Sequence, residues 1–266
     1  MSRFSLAAML CSLVYVPSAM GQGLIFNLPA EGNWIRYEGQ VTQKDARPER
    51  PEGIEELTWS RHITLRALGS AQGEFRGQTQ NCRWIEIEVV TGQPTEGGID
   101  GPRKIYKVLV PESIIDGKAR DSRGVPVAML PIVKGYKKLG FGEVKPIRAK
   151  ALQVYPGISL LAHYSDPQVE APNGIPKGGG NINANSGTQY AGTVTIERNT
   201  TKAVNSAKFW VSPQAPFGLV NWTVNMKRFT KDLTDKRADF KMVSEVDVEM
   251  TAQEVNQNAE AVIQEQ

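Results

Sequence analysis

The sequence predicts a mainly β protein: a curved antiparallel sheet or open half-barrel of about eight or more strands, with a short helical or irregular segment in the middle. Three observations carry this. Apolar residues recur with a period of two over most of the chain. The 25 glycines and 16 prolines gather between those runs, where turns belong. At 266 residues and 40% hydrophobic, the chain is long enough to bury a core without disulfides or metal.

The first four strands are expected at Asn33–Thr42, Leu57–Leu68, Cys82–Thr91 and Ile105–Val110. In the second, Leu57, Trp59, Ile63 and Leu65 share one face, while Ser60, His62, Thr64 and Arg66 share the other. In the third, Ile85, Ile87 and Val89 alternate with Glu86 and Glu88, as in a strand with one wet face. A second set is expected at Tyr190–Arg198, Ala207–Ser212, Leu219–Arg228 and Phe240–Thr251. The short links between these four make an up-and-down meander the economical topology. Between the two sets, Val127–Leu139 is read as a short broken helix, interrupted by Pro131 and Gly135. Leu152–Tyr155 and Ile158–Tyr164 are read as added strands. Residues 171–187, rich in Pro, Gly, Asn and Ser, are read as a flexible loop. One shared core is expected, because either half alone would be a sheet with little to cover it.

The ends carry their own signals. Met1-Ser2-Arg3 is a basic start, Phe4 to Val16 is uncharged, and Pro17-Ser18-Ala19-Met20-Gly21 closes with small residues. That three-part pattern reads residues 1–21 as a secretory signal peptide, cut ahead of Gln22. The thirteen-residue uncharged run falls short of the ~20 residues of a spanning helix. Leu10 does not suit lipidation at Cys11. The expectation is an exported protein, periplasmic or extracellular, with no transmembrane segment after cleavage. Residues 22–251 would form a single β-rich domain, and 252–266 a polar C-terminal tail or surface helix.

Recognisable chemistry is sparse. The chain has no Gly-x-Ser-x-Gly elbow, phosphate-cradling glycine loop, His-Glu-x-x-His or Cys-x-x-Cys. With two cysteines and two histidines, neither a metal nor a cofactor is expected, and no catalytic residue is assigned. A Cys82 nucleophile with His62 or His163 as its base is the one covalent pairing the composition allows. Glu86 and Glu88 look like paired carboxylates, but outward charges on a half-wet strand look the same.

Charge is uneven. Arg103 to Lys150 holds twelve basic and four acidic residues, while Glu245 to the end holds six acidic and no basic ones. Dispersed in this way, they read as solvated faces that neutralise one another, or as a surface for an envelope protein, anionic lipid or anionic polymer such as a polysaccharide. Nucleic acid is not expected for an exported chain. The five tryptophans, Trp34, Trp59, Trp84, Trp210 and Trp222, each fall on a separate expected strand. They read either as core or as the lining of an apolar groove, and Trp59, Trp84, Trp210 and Trp222 are the candidate ligand-binding residues.

The segment Phe209-Trp210-Val211-Ser212-Pro213-Gln214-Ala215-Pro216-Phe217-Gly218-Leu219-Val220 resembles a strand–turn–strand of LolA-like exported β-proteins. Leu28-Pro29-Ala30-Glu31-Gly32-Asn33-Trp34-Ile35-Arg36-Tyr37-Glu38 and Cys82-Arg83-Trp84-Ile85-Glu86-Ile87 resemble secreted proteins of planctomycete bacteria. The first resemblance implies an open, curved antiparallel sheet whose apolar inner face holds acyl chains. The expected function is therefore an exported, non-enzymatic β-protein binding a lipid or other apolar ligand in a curved-sheet groove. The alternative is an envelope structural or protein-interaction module with no small-molecule ligand.

Overall fold

A computed structural model describes residues 25–47, 49, 53–96, 98–115, 130–152, 168–182 and 184–264. The strands, in chain order, are β1 (Trp34–Ala46), β2 (Ile54–Phe75), β3 (Gln78–Thr95), β4 (Gly98–Asp100), β5 (Arg103–Pro111), β6 (Leu130–Pro131), β7 (Lys134–Leu139), β8 (Lys145–Pro146), β9 (Ala151–Leu152), β10 (Gln168–Gly174), β11 (Gly187–Glu197), β12 (Thr201–Val211), β13 (Leu219–Thr230) and β14 (Lys241–Asn256). Helix is limited to two 3-10 turns, Glu112–Ile114 and Arg237–Asp239, among the described residues.

Twelve strands form one antiparallel sheet in the order β10-β11-β12-β13-β14-β1-β2-β3-β5-β7-β8, with β4 paired to β3; among the described residues the sheet does not close on itself. The remaining two, β6 and β9, pair with each other. Each half is a meander of sequence neighbours, as short links favour. The halves meet where β14 pairs with β1, Val248 opposite Val41. All eight expected main strands are present.

The alternation places one side chain in two on a dry face. That inner face carries Ile35, Tyr37, Ile63, Leu65, Ile85, Ile87 and Val108 from the first half, and Phe209, Trp222, Val224, Val248 and Met250 from the second; all are buried in one cluster. Segments off the main sheet cover it: Ile25 and Phe26 from the N-terminal side, Leu130, Ile132 and Leu152, Ala184, and the inward turn that carries Ala215 and Phe217. That turn holds Phe217 at φ 61 and Gly218 at φ 85. It is fastened by the Phe26 amide donating to the Phe217 carbonyl at 2.8 Å. The Tyr37 hydroxyl crosses β14 to donate to the Leu219 carbonyl at 2.9 Å, and its ring meets Trp222 edge-on at 4.9 Å.

Four expectations need correction. The helix read at Val127–Leu139 is not formed over its described part, which is β6 and β7. Gly135 there packs so closely under Val108, Ile132 and Ile147 that a side chain would crowd it. The second strand does not stop at Leu68 but runs through Gly69 and Gly73 to Phe75, with a register shift between Ala67 and Ser70. It then turns back at Arg76-Gly77, both at positive φ as a tight hairpin requires. The loop read over 171–187 begins inside β10, so its first four residues pair irregularly with β11. Finally, residues 252–264 form neither helix nor free tail. β14 continues to Asn256, and the rest lies against the outer face, where Ile263 is buried. Residues 127–129, Ile158–Tyr164 and His163 lie outside the described residues, as do residues 153–155 of the strand read at Leu152–Tyr155 and the expected signal peptide.

Candidate functional site

The candidate tryptophans are not brought together. Trp222 is on the inner face of β13, 1% exposed and part of the core. Trp210 pairs across from Asn221, one position out of phase with Trp222, and so belongs to the outer face of β12, where it is half-buried and packs against the main core cluster. Trp84 is also on the outer face, in a separate small cluster with Leu68, Cys82 and Leu109. Trp59 is on the inner face of β2, half-buried beside the main core. An apolar groove lined by all four is therefore not formed.

Two hollows open on the outer face instead. One, of about 700 Å3, is lined from six strands, β10 to β14 and β1. Gln40 and Thr42 reach it from β1, Asp247 and Glu249 from β14, Thr223 and Asn225 from β13, Ser206 and Lys208 from β12, and Thr193 from β11. These are alternate residues on adjacent strands, so the period that sends Val220, Trp222 and Val224 inward sends this set outward. The Asn225 amide donates to both Glu245 and Asp247 at 2.7 Å, and Lys208 pairs with Glu170 at 3.1 Å. Hydrogen bonding from Asn225, with Lys227 adding to it, holds the Glu245 carboxyl below the usual carboxylate range.

The second hollow, of about 410 Å3, adjoins the other end of β1. It is lined by Trp34, Arg36, His62, Thr64, Arg66, Glu88 and Arg103, among others. Its guanidinium groups are engaged. Arg36 pairs with Glu38 and Glu254, Arg66 with Glu86 and Glu88, and Arg103 with Glu88, all within 3.1 Å. Partial burial pushes the His62 imidazole down from its ordinary value, against the nearby Glu38 carboxylate.

Beyond that hollow the outer face is covered. Residues 257–264 form a strap fixed by Glu86, which has no solvent exposure. The Val262 amide donates to both Glu86 oxygens at 3.1 and 3.0 Å, and the Ile263 amide to one of them at 2.9 Å. The Lys107 ammonium donates to the Ile263 carbonyl at 3.1 Å, and Ala259 and Ala261 pack on the Trp84 cluster. Glu86 is therefore an anchor rather than an outward charge. In sequence it looks the same as Glu88, because the partners that bury it lie 176 residues away.

The covalent pairing is not assembled. Cys82 is buried opposite Ala71, whereas His62 lies nine residues earlier on the same strand, roughly 30 Å away along it. Burial, helped by the charge of Glu112, pushes the Cys82 thiol up. No group of three or more metal-ligating side chains occurs among the described residues, and no described helix is long and apolar enough to cross a membrane.

The chain matches no protein-family profile and no curated protein. The functional reading therefore rests on its own geometry.

Proposed function

We propose that this is an exported, non-enzymatic binding module of the cell envelope, one that holds an extended, uncharged, hydroxyl-rich polymer across the outer face of β11–β14 and β1. The observation that carries the reading is the six-strand hollow and its lining of hydroxyl, amide and charged side chains. Five inter-strand spacings make it roughly 24 Å wide, suited to several units of a chain rather than one small molecule. Glu170, Asp247 and Glu249 face it against the single cation Lys208, which disfavours an anionic polymer. An apolar cargo is supported less well, since the apolar face is filled by the protein's own side chains and the four tryptophans are dispersed.

The test is isothermal titration with soluble neutral β-glucan and chitin oligosaccharides. Saturable binding is expected, weakened about tenfold or more by Thr223→Phe, which fills the hollow from an exposed position without disturbing the core. Absence of binding across the set, or equal binding by the variant, would refute the proposal.

A further inference from the structure

The opposite end of the sheet carries a surface of different chemistry. The tight connection between β7 and β8 is Gly140-Phe141-Gly142-Glu143-Val144, with Gly140 at φ 57. Phe141 at its tip is fully exposed and neighbouring Leu139 is 49% exposed. Other large apolar residues are exposed on this molecule, Ile175 and Leu233 among them, and single instances need no explanation. What sets Phe141 apart is its surroundings. From Lys134 to Lys150 there are six basic residues and one acidic residue, Glu143.

The fold concentrates these charges. Lys137 and Lys145 are direct register partners across β7 and β8, a like-charge pairing that destabilises a bare sheet. The same two residues line a shallow hollow with Pro146, Ile147 and Arg148. Lys104 of β5 stands opposite Leu139, beside the tip. Lys104, Lys137, Lys138, Lys145 and Arg148 form no ion pair with any described residue. The acidic stretch of β14, which could have neutralised them, is separated from β7 by four intervening strands.

Sheet-edge protection explains only part of this. Lysine and proline on an outermost strand discourage pairing with other chains, and Lys145-Pro146 of β8 fits that use. Protection calls for no solvated phenylalanine, and none of its cations has to surround one. An aromatic ring at a loop tip inside a belt of cations matches instead the boundary of an anionic bilayer, where the ring enters the headgroup region and the lysines meet phosphate.

We propose that the β7–β8 hairpin docks the protein onto the surface of an anionic phospholipid bilayer, with Phe141 inserted and Lys104, Lys137, Lys138, Lys145 and Arg148 facing the headgroups. The polymer-binding face is a separate surface, so the two proposals stand or fall independently. The docking is peripheral, and it leaves the hollow of β11–β14 free.

The test is co-sedimentation of the protein, recovered from the exported fraction of its cells, with two kinds of vesicle: phosphatidylcholine alone and phosphatidylcholine mixed with phosphatidylglycerol. Binding is expected only to the mixed vesicles and should fall steeply as salt is added. Phe141→Ser should weaken it about tenfold or more, and Lys145→Gln and Arg148→Gln about fivefold each. The Phe141 ring is fully exposed, so its loss leaves the fold intact. Failure to bind mixed vesicles at low salt would overturn the proposal, as would equal binding to phosphatidylcholine. If Phe141→Ser binds like the parent while dextran sulfate competes, the surface serves a soluble polyanion and the bilayer is excluded.

Discussion

From β10 to β14 and from β1 to β5 the chain uses the same two-residue alternation, yet the two halves treat their outer faces differently. Around β12, β13 and β14 the outward side chains, Ser206, Thr223, Asn225 and Asp247 among them, line an open hollow. On β3 and β5 the outward Glu86 and Lys107 are buried beneath the strap of residues 257–264. Alternation determines which residues share a face. Whether that face is wet depends on a segment far away in sequence, and a local pattern does not carry that information.

The largest loss is expected at the shared core. Trp222→Ala should cost about 4 kcal/mol, because it empties a fully enclosed site against Tyr37. Trp210→Ala, one strand over, on the other face and only half-buried, should cost about 2 kcal/mol. Urea unfolding of the two variants checks this, and similar losses would mean that the faces are misassigned.

Next in size is the strap. Glu86→Ala leaves the Val262 and Ile263 amides without their acceptor and takes from the Arg66 guanidinium one of its two carboxylate partners, at a cost of roughly 3 kcal/mol. Amide exchange should rise in residues 257–264 and across β3 and β5, while β11–β13 stay protected. A uniform rise over both halves would show that the strap serves the whole fold rather than one face.

The smallest effect sharpens the comparison from the open side. The Glu245 carboxyl titrates below its unfolded value, so its contribution is fully present above the ordinary carboxylate range and is lost as pH falls through its lowered folded value. Asn225→Ala should remove most of this contribution, less than about 1 kcal/mol at a part-buried site still screened by solvent. Thermal melts of parent and variant should therefore converge as the pH drops below 4, and a constant gap down to acid would refute the assignment.

The legible parts of this molecule were those set by short-range pattern. Val220-Trp222-Val224 against Asn221-Thr223-Asn225 reads directly as a strand with two unlike faces, and the structure keeps that division. Less was legible where glycine served packing rather than turning. Gly73 lies inside β2 because a side chain there would strike the Cys82 sulfur, yet in sequence it resembles a strand end. Pro172-Asn173-Gly174 reads as a turn and instead ends an irregular edge strand, with Asn173 at φ 56. Of the candidate site, each tryptophan was correctly placed on a strand, but a shared surface was not predictable. One residue of phase separates Trp210 from Trp222 across their hairpin, and that single step sends them to opposite faces.

The central claim is that the apolar face is filled from within and that binding takes place on the outer face. Native mass spectrometry of the protein, purified without detergent, tests this most directly. The account predicts the mass of the bare chain, with adducts appearing only when a neutral oligosaccharide is added. A lipid-sized mass that survives purification and is released on unfolding would contradict it.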